Sequence, residues 1–282
     1  MKIAHYSTDG WQKLLIPMLK NMGHRVLDNE CDISCDVILV KSIVKMEDAW
    51  RLVESYPNIP MVNYNWDVYS WALEKLRHYE YDYATYKELC EQSLEVWVPS
   101  RAVQKSLEDF WDMDSRVMKS YFPTKPYKDS GKGDYAFQAL RMNPDKRMDW
   151  FQKACTELKI PYKMTNPDFP LPERKYRHML ANAKILVSPI YEMSTGGMFL
   201  FEGAMWEKPI LASNSEYMGA VDYFGDTIAY FQGDNFSDFK DKLLKLYNGE
   251  IKTNTKKAKE LVESLTTEDF AERTISRLEE IL

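Results

Sequence analysis

The sequence predicts an α/β protein built from two parallel-sheet halves. Three observations lead there. Short apolar runs alternate with segments of helical spacing, a turn-rich stretch divides the chain near its middle, and the alternation restarts beyond it. With 282 residues, 45% of them apolar and 28% charged, the chain can furnish a core for each half.

The elements follow in order. Ile3 to Tyr6 reads as a buried strand, and Ser7-Thr8-Asp9-Gly10 as a turn with capping residues. From Trp11 to Met22, apolar residues at Trp11, Leu14, Leu15, Met18, Leu19 and Met22 have helix spacing, and Gly23 stands where a helix ends. Strands are expected over His24 to Leu27, Asp36 to Val40, Ile59 to Tyr64 and Val96 to Pro99, with helical stretches between them. Pro123-Thr124-Lys125-Pro126 and Asp129-Ser130-Gly131-Lys132-Gly133-Asp134 carry turn residues and little apolar content, so the linker is placed near 125 to 133. The second half predicts strands at Tyr135 to Leu140, Ile185 to Pro189, Pro209 to Ala212 and Ile228 to Phe231. Its helices are expected at Met148 to Leu158, Phe199 to Trp206 and Phe236 to Tyr247, and Lys256 to Leu282 forms two charged amphipathic helices. Ligands of such sheets sit beyond the carboxyl ends of the strands, which makes a cleft between the halves the expected site.

Composition narrows the function classes. The net charge of -6 disfavours a sequence-independent DNA coat protein, whose affinity comes from neutralising phosphates. No run nears about 18 apolar residues, so stable membrane insertion is not expected. The start Met1-Lys2-Ile3-Ala4-His5-Tyr6 lacks the apolar core of a signal peptide. Cys31, Cys35, Cys90 and Cys155 form no CxxC pair and have no His cluster beside them. Reduced thiols in a cytoplasm are expected rather than zinc. A GxGxxG turn and a Walker lysine motif are both missing, which removes the standard dinucleotide and P-loop readings. Gly131-Lys132-Gly133 reads as linker.

Two segments carry chemistry. In the first, a strand runs into Arg141, the turn Asn143-Pro144-Asp145 follows, and Lys146 stands at the mouth of a helix. Two cations at a strand end and a helix N-terminus suit a diphosphate, Arg as a planar fork and Lys as a point charge. Solvated surface cations are the alternative. In the second, a strand ends at Ser188-Pro189, the small-residue loop Ser194-Thr195-Gly196-Gly197 follows, and a helix carries Glu202. The glycines let a ligand approach the backbone, and free N–H groups at a helix start favour an anion. A carboxylate there can accept from ribose hydroxyls, although a lone helix Glu is commonly a surface residue.

Together these segments resemble the retaining glycosyltransferases of the GT-B fold, the group of glycogen, sucrose and lipid glycosyltransferases. In that family a strand ending in Arg leads to a Pro-x-Lys turn, matched here by Arg141 and Pro144-Asp145-Lys146. The family also has two Glu residues separated by seven others, then a small-residue helix and a Lys-Pro-hydrophobic strand. Glu202-Gly203-Ala204-Met205-Trp206-Glu207-Lys208-Pro209-Ile210-Leu211-Ala212-Ser213 matches the second half of that pattern. The spacing departs at the first Glu, because that position falls on Ser194 while Glu192 lies two residues further back, after Tyr191.

The resemblance implies two Rossmann-like parallel-sheet domains facing across a cleft. Residues 1–125 would bind the acceptor, residues 126–265 the nucleotide sugar, and a helix over 266–282 would pack back toward the first domain. Arg141 and Lys146 would hold the donor diphosphate and Glu202 its ribose. Glu192 would meet the donor sugar, with Ser194 and Thr195 competing for that role. The loop with Gly196 and Gly197 would offer backbone N–H groups. Thr8-Asp9-Gly10 replaces the family's glycine-rich turn, with Gly10 at the donor, and His24 is structural. Asn63-Tyr64-Asn65-Trp66-Asp67 stands where the family often has His-Asp, so Asp67 is either an acceptor-activating acid or a helix N-cap.

No metal and no cofactor beyond the nucleotide sugar, a UDP sugar by base rate, is implied. The aromatic stretch from Tyr64 to Tyr86 is partly core and partly an acceptor platform, with Trp66, Tyr69 and Arg77 as candidates. Three acceptors compete: a hydroxymethylated base in phage DNA, since the phage DNA α-glucosyltransferases share the fold; a saccharide or small molecule; and a lipid. In the phage case the location is the host cytoplasm. A degenerate domain that only binds a nucleotide sugar is the non-enzymatic alternative.

Overall fold

The computed structural model describes residues 1–7, 14–41, 51, 54–64, 83–122, 131–139, 147–165, 171–190 and 198–282. Two compact units emerge, one of Met1–Pro123 with Leu265–Leu282, the other of Thr124–Ser264. The first runs β1 (Lys2–Tyr6), α1 (Leu15–Asn21), β2 (Arg25–Asp28), β3 (Val37–Val40), β4 (Met61–Tyr64), α2 (Tyr83–Glu91), β5 (Glu95–Val98), α3 (Arg101–Trp111) and β6 (Arg116–Val117). The second runs β7 (Ala136–Gln138), α4 (Met148–Leu158), β8 (Tyr162–Met164), α5 (Glu173–Asn182), β9 (Ile185–Ser188) and α6 (Met198–Met205). It continues with β10 (Ile210–Asn214), α7 (Ala220–Phe224), β11 (Ala229–Gln232), α8 (Phe236–Tyr247) and α9 (Thr255–Glu263). The last helix, α10 (Thr267–Ile281), belongs to the first unit.

Both sheets are parallel throughout their described pairings. The first has the order β2-β1-β3-β4-β5-β6, the second β11-β10-β9-β7-β8. Val37-Ile38-Leu39-Val40 is buried along its whole length because helices cover both faces. Ile38 and Val40 share a core with Val103, Leu107 and Trp111 of α3. Val37 and Leu39 point the other way, into a core with Leu15 and Leu19 of α1 and Phe270, Ile275 and Leu278 of α10. In the second unit Ala136, Ile185, Val187, Leu211 and Phe231 pack on Phe151 of α4 and Phe239 and Leu243 of α8.

Helix ends follow local chemistry. Ser100, Asn235, Asn254 and Thr266 cap α3, α8, α9 and α10, each side-chain oxygen accepting from the backbone N–H three residues on. Gly23 follows α1 at φ 87°, a conformation that suits a residue without Cβ.

The expected strands and helices that fall within the described residues are present, with ends shifted by a residue or two. Five elements lie beyond the expected set: β6, β8, α3, α5 and α7. β6 and β8 are edge strands of two and three residues, too short to show a period. α5, with the sequence ERKYRHMLAN, is charged over most of its surface and buries only Leu180 and Ala181 fully. Gly133, at the end of the expected linker, approaches α5 closely. Its N–H donates to the Asn182 carbonyl at 2.8 Å, and a Cβ there would stand 2.0 Å from that oxygen.

Candidate active site

In each sheet the strand order reverses once, between β1 and β3 in the first unit and between β7 and β9 in the second. Ligands of open parallel sheets bind at the carboxyl ends of the strands that flank such a reversal. The segment with Arg141 and Lys146 leaves the end of β7, and the segment with Glu192 to Gly197 leaves the end of β9. The two chemistry-bearing segments, some 50 residues apart in sequence, therefore depart from hydrogen-bonded neighbours (Ala136 opposite Ile185, Phe137 opposite Leu186).

Of the residues singled out from the sequence, Glu202 is described. Arg141, Lys146, Glu192, Ser194, Thr195, Gly196, Gly197, Gly10, Asp67, Trp66, Tyr69 and Arg77 all lie outside the described residues. Glu202 stands on α6, one turn beyond its start. Rather than a solvated surface carboxylate, it is partly buried, and its Oε2 accepts a short hydrogen bond from the Tyr176 hydroxyl on α5. Burial pushes the Glu202 carboxyl above its usual range; the Tyr176 hydroxyl and Arg177 pull it down, and Glu173 adds to the rise. Burial and the adjacent carboxylate push the Tyr176 phenol well up, so it stays a donor at neutral pH. The Tyr176 ring is held by Phe137 of β7, 6.3 Å between centroids, and Phe137 packs in turn on Phe199 of α6 at 5.8 Å. Gly203 lets α6 lie close on the sheet: a Cβ there would stand 2.1 Å from Cδ1 of Leu186 on β9.

Arg147, next to Lys146, opens α4 with φ 45°. Its guanidinium lies 4.0 Å from the Trp150 ring centroid and donates to the Gly233 carbonyl at 2.7 Å and to Asp234 Oδ1 at 2.6 Å. It thereby ties the end of the Arg141–Lys146 segment to the turn after β11, and it has structural work where its two neighbours are read as ligand cations. Gln138, Ser188 and Ser213, at the ends of β7, β9 and β10, are buried, and Ser213 Oγ has no hydrogen-bond partner among the described residues.

In the first unit, Lys41 directly follows β3 and is fully buried. Its Nζ lies 4.8, 5.1 and 4.1 Å from the ring centroids of Tyr64, Tyr121 and Phe270, with no hydrogen-bond partner among the described residues. Burial lowers its pKa well below the usual lysine value. Tyr64, the first member of the aromatic stretch, is core and no stacking platform: its ring is buried and its hydroxyl donates to the Met118 carbonyl at 2.7 Å. His24 accepts at Nδ1 from the Met1 amino group at 3.2 Å.

The four cysteines are free thiols, and burial pushes both Cys31 and Cys155 up to about 12, Cys31 also through its neighbour Cys35. Asp112-Met113-Asp114 has Asp-x-Asp spacing, but it closes α3, with Asp112 at φ 53° as its C-cap. Among the described residues no group of three or more His, Cys, Asp or Glu side chains is arranged to hold a metal ion, and no helix is long and apolar enough to cross a membrane.

Sequence reasoning missed Tyr176, Lys41 and Arg147. Arg147 carried a signal, a third cation in the same turn; the other two had none.

Two parallel-sheet α/β units, each with one reversal of strand order, define the GT-B fold class, and solved structures agree. The chain is similar to sucrose-phosphate synthase from Thermosynechococcus elongatus, with TM-score 0.72 and 12% identity over 100% of this chain and 99% of that one. It is also similar to HepE of Anabaena, solved in complex with UDP, with TM-score 0.68 and 11% identity over 99% of this chain and 100% of the other. TarM gives 0.62 and 15% identity over 86% of this chain, but only 54% of TarM is spanned. No protein-family model and no curated protein matches the sequence, so the likeness is one of fold.

Proposed function

We propose that the protein is a metal-independent retaining glycosyltransferase that moves a sugar from a nucleotide diphosphate, UDP in the first instance, to an acceptor hydroxyl. One observation carries the reading. The Arg141–Lys146 segment and the Glu192–Gly197 segment leave adjacent strands at the strand-order reversal of the second unit, with Glu202 on the helix that follows.

In this reading the second unit binds the donor. Arg141 and Lys146 neutralise the leaving diphosphate as the bond from sugar C1 to the phosphate oxygen breaks. Glu202 accepts from the ribose hydroxyls. Glu192, or Ser194 with Thr195, meets the sugar, and Gly196 and Gly197 present backbone N–H groups. The acceptor oxygen bonds to C1 on the face the phosphate leaves, and its proton passes to the departing phosphate. The first unit would hold the acceptor, through Asp67, Trp66, Tyr69 and Arg77, with Gly10 at the donor side. HepE, solved with UDP and glucose, supports a UDP-linked donor by analogy of fold. The net charge of -6 weighs toward a saccharide acceptor over hydroxymethylated DNA.

The test is nucleoside diphosphate release from a panel of nucleotide sugars, with hydroxymethylcytosine DNA or oligosaccharides present. Release coupled to a sugar-sized mass gain on one acceptor supports the reading and identifies the acceptor. Arg141→Ala and Lys146→Ala should each lower turnover by at least about 100-fold with an unchanged melting temperature. Full activity in both variants refutes the diphosphate assignment, and donor binding without any transfer points to a degenerate binding domain.

A further inference from the structure

α5 leads into β9 and α6 follows it, so both helices present their amino-terminal turns at the carboxyl end of the strand. Tyr176 lies in the first turn of α5 and Glu202 just beyond the first turn of α6. Their hydrogen bond ties the two helices together at the edge where the donor segments depart. It also uses only one carboxylate oxygen. Oε2 accepts from Tyr176, whereas Oε1 has no hydrogen-bond partner among the described residues.

We infer that Tyr176 is a positioning residue for nucleotide binding: it fixes the Glu202 carboxylate in one rotamer so that Oε1 faces the ribose hydroxyls. The inference rests on the reading of Glu202 as the ribose ligand. A Glu side chain on a helix surface otherwise samples several rotamers, and a ligand that needs one of them must overcome that freedom. Here the tyrosine ring is clamped by Phe137, which Phe199 holds in turn, so the hydroxyl arrives preset.

The hydroxyl has a second effect, because it donates to the charged form of a carboxylate that burial would otherwise protonate. Among the described residues, the charged groups facing Glu202 come from α5: Arg177, which favours the carboxylate, and Glu173, which opposes it. Neither β7 nor α6 carries another ionisable side chain. Without the tyrosine hydroxyl, Glu202 takes up a proton at higher pH.

The experiment compares equilibrium binding of UDP with that of its 2′,3′-dideoxyribose analogue between pH 5 and pH 8. Wild type, Tyr176→Phe and Glu202→Gln are measured. The affinity ratio of the two nucleotides is independent of the fraction of folded protein, and the phosphate titration common to both cancels. Wild type is expected to favour UDP by about 30-fold at neutral pH, and Tyr176→Phe by only about threefold. The pH at which the preference is lost moves upward in Tyr176→Phe. Glu202→Gln should show little preference at any pH. A Tyr176→Phe variant with the wild-type ratio and the wild-type midpoint overturns the positioning role while leaving Glu202 as ribose ligand intact. A wild type without preference, or a Glu202→Gln variant that keeps it, overturns the ribose reading and the inference together.

Discussion

Lys41 offers the sharpest test of how the first unit is held together. Its ammonium would sit among three aromatic rings, with Nζ 4.1 to 5.1 Å from their centroids, and without a hydrogen bond from any described residue. Two effects oppose each other. The rings favour the charged form by about 2 kcal/mol, whereas stripping an ammonium of water costs several kcal/mol. Desolvation is the larger, so the amine is held well below its ordinary pKa.

The unfolded chain then binds one proton more than the folded chain at any pH between the depressed value and the ordinary 10.5. Stability therefore rises with pH across that window, by up to about 1.4 kcal/mol per pH unit, and falls as pH drops through it. Lys41→Met keeps the length of the side chain and removes the titration. In urea unfolding at pH 7 and pH 9, wild type should gain up to about 2.7 kcal/mol more over the interval than the variant. The variant should also be the more stable of the two at pH 7. Parallel pH dependences, or a variant less stable at pH 7 by about 2 kcal/mol, would show that the rings outweigh desolvation and refute the argument.

Two further outcomes are open to direct measurement. Glu95 is lowered to about 2: burial raises its pKa, but hydrogen bonds from Arg277, Trp97 and Arg116 outweigh it. The resulting stability is present above the unfolded carboxylate range and is lost as pH falls toward about 2. Glu95→Gln should lower stability at pH 7 by about 1 to 3 kcal/mol and flatten the acid limb of a thermal-melt series, because Arg277 on α10 loses its bidentate partner. Gly133→Ala places a Cβ against the Asn182 carbonyl and should cost about 2 kcal/mol or more, read as a shift in urea midpoint; an unchanged midpoint would mean the segment moves freely away from α5.

Much of the fold was legible in the sequence because parallel strands buried on both faces are written as contiguous apolar runs. Val37-Ile38-Leu39-Val40 and Ile185-Leu186-Val187 can be little else. Several of the elements that escaped draw their stability from neighbours. β6 and β8 exist because an edge was there to extend, and α5 is too polar to announce itself.

The site divides along the same line. Arg141, Pro144, Lys146 and Glu202 stand in local patterns that a reader of the chain can find. What Glu202 touches depends on a tyrosine 26 residues earlier, brought across β9 by the crossover of two helices. Lys41 looks like an ordinary lysine after a strand, and only the return of α10 from the far end of the chain, with Phe270, encloses it. Local spacing records which atoms are covalently near one another, and so it determined the strands and most of the helices. Burial, hydrogen-bond partnership and the resulting shifts in pKa are sums over residues distant in sequence, and those only the tertiary structure decided.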